Sequence, residues 1–167
     1  MSVSQSLLPE FEQEMKSTRK TLERVPEDKF GWKPHDKSRT IGQLAAHLAE
    51  IPTWANGAIQ KDWVDVKPVT PPPRRALTSR QEILDAFDRG VVALRDLVNS
   101  TADQSWMASW TLQASGKTLF TIPRVAMWRS FVMNHMIHHR AQLGVYLRIN
   151  DVPLPSIYGP SADESPM

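Results

Sequence analysis

The chain has 167 residues, enough for one domain with a substantial hydrophobic core, so we expect a single domain over residues 1–167. Its 20 lysines and arginines nearly balance its 18 aspartates and glutamates, which argues against the basic surface of a nucleic-acid-binding protein. The chain has no cysteine, which excludes disulfides, thiolate metal ligands and a cysteine nucleophile.

The amino-terminal stretch and the apolar segments indicate neither secretion nor membrane insertion. The start, which reads MSVSQSLLPEFEQEM, lacks basic residues at its beginning and a long apolar run, so we expect no signal peptide. No segment approaches the roughly 18 consecutive apolar residues of a transmembrane helix. The sequence therefore predicts a cytoplasmic protein with no membrane partner and no nucleic-acid partner.

Helical periodicity in the first third of the chain predicts two helices. Apolar residues recur at steps of three and four over residues 3–24, and Pro26 ends the pattern. Thr40 and Gln43 form a capping-box pattern, so a second helix is expected to begin there. Pro52 is expected to kink this helix. Its apolar face contains Ile41, Leu44, Ala45, Leu48 and Ile51.

The middle of the chain predicts a long connection and then a third helix. Residues 61–78 contain four prolines and predict an extended crossover, which is a known way to connect helices of a four-helix bundle. Ser79 and Glu82 form a second capping-box pattern. A third amphipathic helix is therefore predicted over residues 79–100.

The last third of the chain predicts a short hairpin, a long helix and a coil tail. Residues 106–122 alternate like strands around Ser115-Gly116. Residues 123–151 contain no proline after the first position, which favours one long amphipathic helix. The proline-rich residues 151–167 are expected to pack as coil. The inward stripe of the long helix comprises Trp128, Val132, His135, His139, Gln142 and Tyr146.

Two histidines on that stripe are candidate metal ligands. His135 and His139 are four residues apart, so both rings lie on one side of a helix, where they can share a metal ion. The alternative is that each is a core histidine with ordinary hydrogen bonds, which is the commoner role of a histidine on an apolar face.

A third histidine strengthens the metal hypothesis. His47 lies on the apolar face of the second helix, so it can meet His135 and His139 in the core of a bundle. Three neutral imidazoles suit zinc, nickel, copper or ferrous iron, and they leave positions open for water or substrate. The zincin pattern His-Glu-x-x-His is missing. An ordinary contact between helices remains the alternative for His47.

Three nearby residues are weaker candidates. His138 also lies within one turn of His135, but Tyr146 extends the line of His139 better, so we expect His138 to turn toward a neighbouring helix as a packing or supporting residue. His35 is expected on the surface of a loop. Glu50 follows His47 by three residues and is a weak candidate for an acid or base, so no catalytic residue is assigned.

Three stretches of the sequence match the pattern of a known protein family, and two of them contain the candidate histidines. They read WKPHDKSRTIGQLAAHLAE, HMIHHRAQLGVYLR and VPLPSIYGPSADE, and they frame nearly the whole chain. With them the sequence resembles the DinB/YfiT-like family of metalloenzymes. The resemblance implies an all-α, four-helix bundle of the up-down-down-up type, often dimeric, in which three histidines hold a divalent metal ion. By position, these ligands are His47, His135 and His139.

The resemblance implies two kinds of activity. Some relatives are thiol S-transferases that use a low-molecular-weight thiol, and others are called metal-dependent hydrolases. Our first hypothesis is therefore a metal-dependent transferase or hydrolase that acts on a small molecule. We also expect a homodimer. Any thiol in the reaction must come from a small molecule, since the chain has no cysteine. The second is a non-catalytic metal-binding stress-response protein stabilised by zinc, nickel or iron. The third is a helical bundle whose histidines only pack.

Overall fold

Long helices form most of the structure. The computed structural model describes residues 2–67 and 77–165. The elements in chain order are α1 (Val3–Glu23), a 3-10 turn (Glu27–Lys29), α2 (Ile41–Ile59), β1 (Trp63–Asp65), α3 (Arg80–Ser100), α4 (Asp103–Met107), β2 (Ser109–Ala114), β3 (Lys117–Pro123), α5 (Arg124–Met127), a π-helical turn (Trp128–Met133) and α6 (Asn134–Ile149). Within these residues, no helix is long and apolar enough to cross a membrane.

The predicted helix starts are confirmed by their caps. The Thr40 hydroxyl accepts the backbone N–H of Gln43, and the Gln43 side chain accepts the backbone N–H of Thr40, so α2 begins with a complete capping box. The Ser79 hydroxyl accepts the backbone N–H of Glu82 at the start of α3. These bonds satisfy donors that the first turn of a helix leaves without partners, which is why the sequence pattern locates the helix starts well.

A three-stranded sheet departs from the all-α prediction. The predicted hairpin is confirmed, since β2 and β3 pair antiparallel and both residues of the Ser115-Gly116 turn have positive φ angles, 51° and 76°. The third strand, β1, lies inside the predicted crossover and pairs parallel with β2. The pure four-helix bundle is therefore not confirmed. Three residues are too few to reveal a strand by alternation, and residues 68–76 of the predicted crossover lie outside the described part of the chain.

The last helix is interrupted, which also differs from the prediction. The π-helical turn separates α5 from α6, so residues 124–149 are not one regular α-helix. A π turn holds one more residue than an α turn and leaves the apolar stripe recognisable on both sides. Helical periodicity alone therefore does not reveal it. The turn ends at Met133, two residues before His135.

Three tryptophans lie in the core where the helices meet. Trp106, Trp110 and Trp128 are fully buried. Two of the indole N–H groups have buried hydrogen-bond acceptors. The Nε1 of Trp106 donates to the Ser4 hydroxyl at 3.1 Å, and that of Trp110 donates to the Ala58 carbonyl at 3.2 Å. These three tryptophans therefore belong to the hydrophobic core.

The tail beyond α6 is coil, as predicted, and it is tied to the helices. Residues 152–165 form no helix or strand. Asp163 pairs with Arg148 at the end of α6, and Glu164 pairs with Arg24 at the end of α1. The tail therefore joins the first and last helices.

Candidate metal site

Three histidines from two helices come together at one point. His47 lies on α2, and His135 and His139 lie on α6. The Nε2 atoms of His47 and His135 are 3.2 Å apart. The ring centroid of His139 is 4.6 Å from those of both other histidines. One nitrogen from each ring lies within 4.8 Å of the others, so the predicted trio forms a group that can hold a metal ion.

The packing of α2 against α6 positions the trio at the edge of the core. His47 follows buried Leu44 and precedes buried Leu48, so the apolar face of α2 carries the ring inward. His135 and His139 flank buried Met136 on α6. All three rings are half-buried. One side of the group therefore rests on the core, and the other remains accessible.

Two of the rings are oriented by fixed hydrogen-bond partners. The His135 ring bonds the backbone carbonyl of Phe131 in the π turn. Since its Nε2 faces His47, the nitrogen that donates to this carbonyl is Nδ1. The Nδ1 of His139 lies 2.7 Å from the side-chain oxygen of Gln142 and donates to it. Each ring thus keeps a proton on Nδ1 and leaves the Nε2 lone pair for a metal ion.

Burial keeps the two α6 rings neutral. It lowers the pKa of His135 and of His139 below the usual 6.5, because the protonated ring loses solvation. The positive charge of Arg39 acts in the same direction on both rings. Neutral imidazole is the form that binds metal ions, so the local environment favours ligation near pH 7.

The spacing of the His47 and His135 nitrogens fits a transition-metal ion. A tetrahedral ion with ligand bonds of about 2.0–2.1 Å separates its ligand nitrogens by about 3.3 Å. The 3.2 Å between the Nε2 atoms of His47 and His135 is close to that value. The donor set is all nitrogen, which suits zinc, nickel, copper or ferrous iron. Three ligands leave at least one position for water or substrate.

The other predicted candidates do not belong to the group of possible ligands. His138 is exposed, and its ring centroid lies 4.9 Å from that of His139 on the same helix. His35 is exposed, as predicted. Glu50 is half-buried on α2 and does not belong to the group of possible ligands.

Sequence reasoning missed the residues that orient the rings. Gln142 lies on the predicted stripe three residues after His139, and this spacing could have indicated a side-chain partner. The Phe131 carbonyl gave no such signal, because a backbone group carries no residue-type pattern and its position depends on the π turn.

Two solved structures share this fold. A DinB-like protein from Bacillus cereus ATCC 10987 is 20% identical, with a TM-score of 0.66 over 90% of this chain and 95% of that one. A DinB-like protein from Bacillus subtilis is 15% identical, with a TM-score of 0.68 over 90% of this chain and 96% of that one. No curated protein matches the chain at a significant level. The sequence profile of the DinB family matches residues 1–166, and the chain therefore belongs to the DinB family.

Proposed function

We propose that the protein is a metal-dependent enzyme that acts on a small molecule bound beside His47, His135 and His139. The observation that carries this proposal is the half-buried trio of imidazole rings, which offers three nitrogens and leaves one side accessible. Closed structural sites use four protein ligands, whereas catalytic sites keep a position open. The family membership supports a site at these histidines without naming a reaction.

The residues around the trio prepare it for ligation and substrate entry. A divalent ion held there would lower the pKa of a water or thiol next to it, so that hydroxide or thiolate is available near neutral pH. The Phe131 carbonyl and the Gln142 side chain hold the rings of His135 and His139 in the required orientation. Burial against the core keeps these rings neutral and excludes water from their inner side.

Two reactions fit such a site. In thiol transfer, the sulfur of a small thiol forms a bond to an electrophilic carbon, the leaving group departs with its electron pair, and the thiol proton passes to solvent. In hydrolysis, the oxygen of a water forms a bond to the electrophilic carbon, the leaving group departs with its electron pair, and a water proton passes to the leaving group or to solvent. In thiol transfer, the thiol must come from a small molecule, because the chain has no cysteine. The homodimer and the cytoplasmic location remain predictions.

The test compares turnover with and without the metal ion. Protein freed of metal and then loaded with zinc, nickel or ferrous iron is mixed with small thiols and 1-chloro-2,4-dinitrobenzene, and separately with 4-nitrophenyl acetate. We expect one of the two reactions to exceed the rate of the metal-free protein by at least about a hundredfold. His135→Ala should remove the gain, and His35→Ala, which changes an exposed loop histidine, should retain it. Stoichiometric metal binding with no turnover in either assay would favour the non-catalytic metal-binding protein instead.

A further inference from the structure

A cleft lies between α1 and the coil tail. Its volume is about 780 Å³, within the roughly 300–1,000 Å³ of small-molecule binding sites. Lys16, Ser17 and Lys20 of α1 line one side of it, and Ile157 and Tyr158 of the tail line the other. Its lining, drawn from the described residues, includes none of the three candidate metal ligands. We call it the tail cleft.

The two carboxylates that line the tail cleft already have cationic partners. Glu23 pairs with Arg19, and Glu164 pairs with Arg24. The Glu164 carboxylate also accepts the backbone N–H of Ser156 at 3.1 Å. These carboxylates therefore bind groups of the protein itself, and they do not neutralise the lysines of the cleft.

Lys16 and Lys20 are the positive charges of the tail cleft that have no partner. Lys16 is exposed and Lys20 is half-buried. Neither ammonium group forms an ion pair or a side-chain hydrogen bond within residues 2–67 and 77–165. The two lysines are one helical turn apart, so their Cβ atoms are roughly 5–6 Å from each other. Like charges at this spacing destabilise a helix, and an anion bound by both lysines would offset the repulsion.

Ser17 adds a buried hydroxyl to the same side of the cleft. The residue is only 4% exposed, yet it lines the tail cleft. Its hydroxyl makes no hydrogen bond to any other described residue. Buried hydroxyls nearly always have a partner, because the hydrogen bonds to water that they lose must be replaced. An oxygen of a ligand in the cleft would be the missing acceptor.

The tail forms an apolar side of the cleft whose aromatic ring is held in place. Ile157 is half-buried, and Tyr158 is 69% exposed. The Tyr158 hydroxyl accepts from Arg140 at 2.6 Å and donates to the Glu14 carboxylate at 2.8 Å. The Arg140 guanidinium also lies over the ring, 5.2 Å from its centroid. The exposed part of the ring is therefore a preorganised flat surface for the organic part of a ligand.

We propose that the tail cleft binds a small organic phosphate. A phosphate monoester carries about −1.5 to −2 charges near pH 7, which matches the two ammonium groups of Lys16 and Lys20. Its oxygens accept the Ser17 hydroxyl, and its organic part packs against Ile157 and Tyr158. This site goes beyond the proposed function, because it needs neither a metal ion nor the three histidines.

The test is calorimetric titration of the full chain with phenyl phosphate, benzoate and inorganic phosphate. We expect phenyl phosphate to bind at least about fivefold more tightly than either of the others, because benzoate lacks the second charge and inorganic phosphate lacks the ring. Lys20→Gln should weaken the binding of phenyl phosphate about fivefold, and Ser17→Ala about threefold. Lys29→Gln removes an exposed lysine that does not line the cleft, so it is the control and should leave the binding unchanged.

Two results would overturn the site itself. One is the absence of phenyl phosphate binding by the wild type at up to about 10 mM. The other is equal weakening by Lys20→Gln and Lys29→Gln, which would indicate general attraction to a positive surface. Equal affinity for benzoate and phenyl phosphate would overturn phosphate as the recognised group. His135→Ala should bind phenyl phosphate normally, whereas loss of binding in this variant would place the ligand at the histidines. Circular dichroism shows whether each variant keeps its helices.

Discussion

His139 and His135 owe their orientation to different kinds of partner. The His139 ring donates to a side chain, Gln142, at 2.7 Å, whereas the His135 ring donates to a backbone carbonyl. The first bond can be removed by mutation and the second cannot. Gln142 is exposed, so replacing it should not disturb the core. The residue therefore offers a direct test of how far a supporting bond contributes to metal affinity.

Gln142→Leu should lower the affinity for zinc by about tenfold, because the His139 ring loses the acceptor that fixes its tautomer and rotation. Gln142→Glu keeps an acceptor at the same position and should retain the affinity. Competition with a chromophoric chelator measures both dissociation constants. Equal affinities for the Leu and Glu variants would show that the bond has no role in ligation.

The three candidate metal ligands could be predicted from single residues, because their pattern is short and local. A spacing of four residues on one helix and a single histidine on another apolar face are visible in the sequence. The choice between His138 and His139 rested on a weaker signal, the alignment of Tyr146 with His139, because i+3 and i+4 neighbours are nearly equivalent until the helix is packed. The packing of α6 against α2 decides which of them faces inward.

The hairpin shows how one element depends on a few special residues. The Asp65 carboxylate, at the end of β1, accepts the backbone N–H groups of Ser115 at 3.0 Å and Gly116 at 2.7 Å. These bonds hold the pKa of Asp65 below its usual value, first through Gly116. The Asp65 carboxylate therefore links β1 to the turn between β2 and β3.

Gly116→Ala should lower the free energy of unfolding by about 1 kcal/mol, because the φ angle of 76° is unfavourable for a residue with a Cβ atom. Gly144→Ala is the matched control. Gly144 lies inside α6 and an added Cβ would meet no neighbouring heavy atom, so this change should raise stability by up to about 1 kcal/mol. Urea denaturation measures both, and the same sign for both variants would contradict the account of the turn.

Helices were predicted better than strands for a physical reason. The caps of α2 and α3 and their apolar stripes are local, so the sequence contains the signal within a few residues. β1 has three residues and exists through its pairing with β2, which lies far away in the sequence. A strand that depends on a distant partner leaves little trace in its own composition.

A buried ion pair links the first and last long helices of the molecule, and the sequence did not indicate it. Arg140 on α6 and Glu14 on α1 are only 3% and 5% exposed, and the Nη1 of Arg140 lies 2.7 Å from the Glu14 carboxylate. The Tyr158 hydroxyl, from the tail, accepts from Arg140 at 2.6 Å and donates to the Glu14 carboxylate at 2.8 Å. Although Tyr158 is 69% exposed, its hydroxyl thus completes a buried network. Removing one partner from a buried ion pair is destabilising, because it leaves the other charge buried without compensation.

Tyr158→Phe should lower the free energy of unfolding by about 1–2 kcal/mol at pH 7, because the Glu14 carboxylate loses a donor. Burial and then the bond to Glu14 raise the pKa of Tyr158 above its usual 10.0. A folded pKa above the unfolded value gives stability that is present below pH 10.0 and is lost as the pH rises through the folded pKa. The difference between wild type and variant should therefore shrink at higher pH.

Denaturation at pH 7 and above pH 10 measures this effect. Arg129→Ala, which removes an exposed ion pair with Glu10, is the control and should change stability by less than about 1 kcal/mol. A loss for Tyr158→Phe that is the same at both pH values would show that the network does not act through the phenol proton.

The measurement that tests the central claim most directly is elemental analysis of the protein purified without a histidine tag. The proteins compared are the wild type, His47→Ala, His135→Ala and, as a control, His35→Ala. We expect about one divalent ion per chain in the wild type and in the control, and loss of that ion in the other two variants. Full occupancy in His47→Ala or His135→Ala, or no metal in the wild type after incubation with zinc, nickel and ferrous iron, would contradict the three-histidine site.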